Sequence, residues 1–155
     1  MAQAAQFSIG AQDARTDPAV LRLAAYWSGL AGGDGLPRKA ALSPTDIPLL
    51  LPDLLLLQRL EGDWLIRLAG SRIVNAYGVE IGGKLLRDVV PPAVHCEFFR
   101  IYEQARNERA PLYVTGRLHW QDRAYMVFRS GLFPMLGSGE TVDYLLAAVV
   151  FQVEV

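Results

Sequence analysis

The sequence is poor in cysteine, in net charge and in long apolar runs. Its one cysteine, Cys96, excludes an intramolecular disulfide framework and a zinc site made of several thiolates. Because 15 basic residues nearly balance 16 acidic ones, the formal charge of -1 creates no field that would attract nucleic acid or anionic lipid. We therefore expect neither nucleic acid nor a membrane as a partner.

Targeting signals are also lacking. The first residues, MAQAAQFSIGAQDARTD, have neither the basic start nor the continuous apolar stretch of a signal peptide. The apolar runs elsewhere are shorter than a bilayer-spanning segment. Together with the single cysteine, this pattern predicts a soluble protein in the reducing cytoplasm.

The length of 155 residues and a hydrophobic content of 52% predict one domain with a substantial core. Residues 1–16 are small and polar without a period, which predicts a flexible tail. Residues 17–40 are predicted to form an amphipathic helix and a linker, and residues 41–155 the main domain.

The amphipathic helix is predicted to begin near Pro18, with Thr16 or Asp17 as its cap, and to end at GGDGLP. An apolar helix face outside the core must be buried somewhere, so we predict that it mediates homodimerisation. The residues expected at this interface share one face of the helix: Val20, Leu23, Trp27 and Leu30.

The main domain alternates between strand and helix patterns. Residues 54–69 predict a hairpin, Ser71 to Gly78 a short helix, and the segment after Pro92 the longest core helix. Three strands follow after Pro111, and the last, apolar on both faces, is expected in the centre of the sheet. The sequence thus predicts an α+β fold: a five-stranded antiparallel sheet with short helices and one longer helix on one face, plus an N-terminal helix.

Three stretches carry a resemblance to a known family: Tyr26-Trp27, DIPLLLPDLLLL at residues 46–57, and IRLAGSRIVNAYGVEIGGKLL at residues 66–86. The chain resembles PAS domains over roughly residues 18–155, and in particular a PAS-like family of small alphaproteobacterial proteins. Ser71 and Gly82 stand where that family usually has threonine. The positions that fit its motif are Gly70, Tyr77, Gly78, Glu80 and Gly83.

The resemblance implies that these glycines mark the boundaries of short helices that wrap a small pocket against one face of the sheet. Glycine suits that task because it accepts positive φ. Phosphate binding is rejected, because the segment lacks both the dinucleotide-binding spacing and the lysine-hydroxyl pair of a P-loop.

A pocket of this kind is predicted to hold a small apolar or aromatic ligand. Large aromatic rings mostly fill cores, but some of them are expected to line the cavity, with Tyr77 and Ser130 as polar contacts. The predicted ligand-binding residues are Tyr77, Phe98, Leu118, Trp120, Phe128 and Ser130.

His95 and Cys96 suggest cofactor chemistry. PAS domains that bind haem commonly supply an axial histidine from the corresponding helix, which makes haem at His95 an alternative. Adjacent helical positions point about a hundred degrees apart, so both residues cannot easily face one metal. The asparagine-cysteine-arginine signature of light-sensing flavin domains is absent around Cys96. No spacing supports a metal site.

The resemblance favours a non-catalytic sensory or protein-interaction module in bacterial signalling. No output segment follows the last strand, so the signal is expected to pass through association with an unidentified signalling protein. The enzymatic alternative is a small isomerase or hydrolase with Asp46, Glu80 or His119 as a base in an apolar pocket, although no spacing pairs two such groups.

Overall fold

The structure is a computed structural model that describes residues 7–31, 35–118 and 123–153. The α-helices are α1 (Gln12–Arg15), α2 (Pro18–Ala31), α3 (Ser71–Tyr77) and α4 (Pro92–Glu108). The strands are β1 (Ser8–Ile9), β2 (Leu54–Leu60), β3 (Asp63–Ala69), β4 (Leu112–Leu118), β5 (Arg123–Leu136) and β6 (Val142–Val153). Short 3-10 turns lie at Lys39–Ala41, Pro44–Asp46, Pro48–Asp53 and Leu86–Asp88.

The strands form one antiparallel sheet in the order β1-β4-β5-β6-β2-β3. The predicted hairpin is confirmed as β2 and β3, which are joined by a turn in which Gly62 adopts φ 84°. The last strand, β6, lies inside the sheet between β5 and β2, as its apolar pattern predicted. The α+β class and the antiparallel sheet are therefore confirmed, and the sheet gains a sixth, short strand.

Both faces of the sheet are covered by apolar layers. Alternate residues of β2 separate between them: Leu55 and Leu57 belong to a first core with α3 and α4, and Leu54 and Leu56 to a second core with α2. In strand β6, alternate residues likewise belong to the first and to the second core. The sheet is thus the middle layer of the fold, which explains why its central strands are apolar throughout.

Helix α2 packs on the second core, and this corrects the predicted dimer surface. Val20 and Leu23 are fully buried there, and Leu30 packs partly buried against the same core. Trp27 donates from Nε1 to the carbonyl of Pro134 in β5 at 2.9 Å. The apolar face of α2 is buried within its own chain because the sheet has a second apolar face to cover.

The described part of the predicted flexible tail, residues 7–16, contains two short elements of secondary structure, and its flexibility stays a prediction. Ser8 and Ile9 pair with β4 as strand β1, and the amide of Gly10 donates to the carbonyl of Tyr113 at 2.7 Å. Helix α1 follows at once. A two-residue strand has no sequence period, so the pattern could not reveal it. Residues 1–6 of the predicted tail lie outside the described residues.

The helix boundaries follow the predicted capping chemistry. Asp17 accepts the amide of Ala19 at Oδ1, 2.9 Å away, and so caps α2. Helix α3 ends at Gly78 in the left-handed conformation, with φ 79°. Among the described residues, no helix is long and apolar enough to cross a membrane.

Candidate functional site

An apolar cavity of about 40 Å³ lies in the first core, between the sheet and helices α3 and α4. Strands β2 to β6 form its floor, and α3, α4 and the segment that joins them form its roof. Its lining residues are Leu55, Leu57, Ile66, Ile73, Tyr77, Ile81, Leu86, Val89, Phe98, Ile101, Tyr102, Val114, Phe128, Ser130, Leu132, Val149 and Phe151.

The polar side chains in this lining are all uncharged. They are the hydroxyls of Tyr77, Tyr102 and Ser130. Burial raises the pKa of Tyr77, and burial with a smaller contribution from Tyr77 raises the pKa of Tyr102. Both therefore remain neutral phenols that can donate or accept a hydrogen bond. A site of this kind selects an uncharged, mainly apolar molecule.

The size of the cavity limits what fits it. About 40 Å³ accommodates a few water-sized groups, whereas pockets for drug-sized ligands occupy about 300–1,000 Å³. Cys96 is exposed and His95 is not among the lining residues, so neither side chain meets the cavity. The residues present therefore do not fit a flavin or a haem in this arrangement.

Four of the residues predicted to bind a ligand, Tyr77, Phe98, Phe128 and Ser130, line this one cavity. Tyr77 comes from α3, Phe98 from α4, and the other two from β5. The side chain of Leu118 and the whole of Trp120 lie outside the described residues. That the cavity binds a ligand stays a prediction.

His95 lies half-buried near the start of α4 and bonds to β3. Its Nε2 is 2.8 Å from Oδ1 of Asp63, and its ring stacks on Phe99 with centroids 5.7 Å apart. Because an ionised carboxylate only accepts hydrogen bonds, Nε2 carries the proton and donates it. The haem alternative loses its geometric support, since this nitrogen is occupied by Asp63.

Asp63 is a buried anchor at the start of β3, with 1% of the residue exposed. Its Oδ2 accepts the amide of Arg87 at 3.1 Å, while Oδ1 accepts His95. Burial acts to raise the pKa of Asp63, but the hydrogen bonds from His95, Trp64 and Arg87 outweigh it, so the pKa is lowered. The carboxylate thereby ties β3 to both the 3-10 turn at Leu86–Asp88 and α4.

A second polar connection joins α4 to the hairpin. Arg59 of β2 donates from Nε to Oε2 of Glu103 at 3.0 Å, and its guanidinium lies 5.1 Å from the ring centre of Phe99. Arg106, one turn further along α4, donates to the carbonyl of Val142 at 2.8 Å. The cavity roof is therefore fastened to the sheet by side chains on the rim of the first core.

The bases of the enzymatic alternative do not converge on the cavity. Asp46 is exposed, and Glu80 is exposed and accepts the amide of Gly82 at 3.0 Å. His119 lies outside the described residues. No carboxylate or imidazole of the described residues is found in the lining. The described part of the cavity thus offers no general base beside its apolar surface.

Sequence reasoning missed most of the aliphatic lining, and it did not single out Tyr102 among the aromatic rings expected to line the cavity. Tyr102 follows Phe98 by one helical turn, so the spacing of α4 carried a signal for it. The segment between α3 and α4 carried no comparable signal. Its Ile81 and Val89 reach the cavity because the chain folds back along β3, where the amide of Ile66 donates to Lys84 and that of Gly83 to Ile66.

In the comparison with protein families, the sequence profile described as the PAS domain matches residues 15–150. Comparison with curated protein sequences found no significant match.

Two solved structures share the fold at low sequence identity. The structure of an RNA-binding light-oxygen-voltage (LOV) receptor superposes with a TM-score of 0.56 at 14% identity, covering 94% of this chain. This chain spans only 38% of that receptor. A LOV protein from Rhodobacter sphaeroides superposes with a TM-score of 0.50 at 16% identity, covering 71% of this chain and 68% of its own.

Proposed function

Since the chain belongs to the PAS domain family, we propose that it is a non-catalytic sensory module that binds a small apolar molecule in the cavity of the first core. The fold is that of PAS sensory modules. The observation that carries the proposal is the cavity itself, whose polar side chains are uncharged hydroxyls in an otherwise apolar lining. A neutral ligand of a few heavy atoms matches both its chemistry and its volume.

Ligand binding is proposed to act on the roof of the cavity. Ile73 and Tyr77 of α3 and Phe98 of α4 meet the ligand space from one side, while the sheet meets it from the other. A ligand that fills the cavity contacts helices that can shift as units, whereas the strands are fixed by hydrogen bonds to their neighbours. The rim contacts Asp63–His95 and Arg59–Glu103 would then transmit a shift of α4 to the β2–β3 hairpin.

The response is proposed to pass to another protein chain, with a homodimer as the first candidate. Val20 and Leu23 are buried and cannot serve that contact. Leu21, 52% exposed on the outer side of α2, is available to it. A cytoplasmic location is also proposed, supported by the exposed free thiol of Cys96, which a reducing compartment keeps free.

The proposal is tested by filling the cavity with a larger side chain. Val114 is 2% exposed in β4 and lines the cavity, so Val114→Phe places a ring in the ligand space. Val153→Phe adds the same ring at a position that is 54% exposed. A panel of xenon and small neutral aliphatic compounds, without aromatic rings, is screened by thermal unfolding against wild type and both variants.

We expect at least one compound to raise the Tm of wild type and of Val153→Phe but not of Val114→Phe. Hydrogen exchange in α3 and α4 should slow when that compound binds. A panel without any stabilising compound, or one that stabilises Val114→Phe equally, would contradict the proposal.

A further inference from the structure

The ring of Phe7 is inserted between α4 and the sheet beside the cavity. It stacks on Phe98 with centroids 4.8 Å apart and an interplanar angle of 28°, and it lies tilted against Phe128 at 5.7 Å. Both partners also line the cavity. Phe7 is partly buried and packs against the first core. The two aromatic rings therefore form a wall shared by the cavity and the site of Phe7.

The site of Phe7 is shaped for a flat ring. Gly116 of β4 forms its floor: a Cβ at this position would lie 2.2 Å from Cδ1 of Phe7 and 2.7 Å from Cε2 of Phe128. A glycine inside a strand leaves room for such a close approach. Stacked and tilted neighbours at these distances are the arrangements that aromatic rings prefer. A phenyl group thus has a complete set of contacts here.

The segment that carries this ring lies at the edge of the sheet. Residues 7–10 add only a two-residue strand to β4, and both Ser8 and Ile9 are exposed. The segment also donates from the amide of Gly10 to the carbonyl of Tyr113, and the first contact beyond it is Arg15, which lies over the ring of Tyr113 at 4.4 Å. The segment also precedes residue 15, where the match to the family begins. Lifting residues 7–10 breaks this pairing, the bond from Gly10 and the ring contacts of Phe7, and it leaves the other five strands paired.

We propose that Phe7 occupies a phenyl subsite beside the cavity, and that a monocyclic aromatic molecule binds there by displacing it. Displacement frees residues 7–10 from the edge of β4, which converts binding into a change at the surface. The inference rests on the proposed function, since it names an aromatic ligand class for the same sensory region. The subsite and the cavity are nevertheless separable by variants.

Toluene is the probe, because it is the side chain of phenylalanine as a free molecule. Binding is measured by NMR titration of the full chain, and hydrogen exchange of residues 8–10 is followed in wild type with and without toluene. We expect toluene to speed that exchange. Phe7→Ala should bind toluene about tenfold more tightly. If the Phe7 ring leaves the subsite open only about one-tenth of the time, it lowers the apparent affinity of wild type about tenfold. Ile9→Ala, on the exposed side of the same segment, should bind toluene with the affinity of wild type.

The outcomes separate the subsite from the cavity. Toluene binding that persists in Val114→Phe and tightens in Phe7→Ala supports the subsite. Binding that is lost in Val114→Phe and unchanged in Phe7→Ala overturns the subsite but leaves the proposed function standing. Absence of toluene binding to wild type and to Phe7→Ala also overturns it. The exchange measurement uses wild type alone, so unchanged exchange at saturating toluene overturns displacement even if a variant fails to fold.

Discussion

Asp63 shows how one buried carboxylate can organise the rim of a core. Its two oxygens meet donors from different elements, His95 of α4 at Oδ1 and the amide of Arg87 at Oδ2. An asparagine has one acceptor oxygen, so in Asp63→Asn one of these donors would face an amide group. We expect the substitution to lower the free energy of unfolding by about 2 kcal/mol at pH 7. Asp46→Asn, at an exposed position, is the matched control in urea denaturation.

The same carboxylate predicts a dependence on pH. Because the folded protein lowers the pKa of Asp63, its stabilisation is present above the unfolded pKa of about 3.9 and is lost as the pH falls through the folded pKa. The stability difference between wild type and Asp63→Asn should therefore narrow below about pH 4. A difference that stays constant down to acid unfolding would show that the charge of Asp63 contributes nothing.

Residue identities allowed part of the site to be predicted. Phe98 and Phe128 were found because large rings on the apolar face of a helix or strand point into a core, and Tyr77 and Ser130 because they place hydroxyls among them. The pairing of His95 with Asp63 was not predictable. The two residues are 32 positions apart, and only the packing of α4 against the hairpin brings them together.

The entry into α3 depends on a single glycine in close contact with another element. A Cβ on Gly70 would lie 2.1 Å from the carbonyl oxygen of Leu51 and 2.4 Å from that of Pro52. Both are backbone atoms of the 3-10 turn at Pro48–Asp53, so they cannot rotate away. We expect Gly70→Ala to cost about 3 kcal/mol of stability or more, measured by thermal and urea unfolding.

Gly29 provides the opposite case in the same chain. It lies in helix α2, and a Cβ there meets nothing within 4 Å. Gly29→Ala should therefore stabilise the protein by roughly 0.5–1 kcal/mol through helix propensity. Equal effects of the two substitutions would refute the assignment of Gly70 to a close backbone contact.

Helices and strands were more predictable where their own residues carried the signal. The hairpin, α3 with its stop at Gly78, α4 and the central last strand all follow from periods and breakers in the sequence. The surface that α2 covers did not follow, because an amphipathic face indicates that it is buried but not against what. The composition of the sheet indicated this surface: β6 is apolar on both faces, so an apolar layer had to cover each face of the sheet.

The whole domain thus uses both faces of its sheet, and this changes where a second copy can bind. With Val20 and Leu23 buried in the second core, the outer face of α2 is left with Leu21, a large apolar side chain that is 52% exposed. Burying a leucine fully contributes about 1.5–3 kcal/mol, so its replacement by a charged residue should weaken an interface formed there. We expect Leu21→Glu to shift a wild-type dimer to monomer in sedimentation velocity.

The control is Val79→Glu, which puts the same charge on another exposed apolar position, 57% accessible, in the turn after α3. Val79→Glu should have the same sedimentation coefficient as wild type, because the substitution does not change α2. A wild-type protein that remains monomeric at high concentration would refute homodimerisation altogether. A dimer that persists in Leu21→Glu would show that the interface lies elsewhere. If Val79→Glu alone converted the dimer to monomer, the interface would include the turn after α3, beside the cavity.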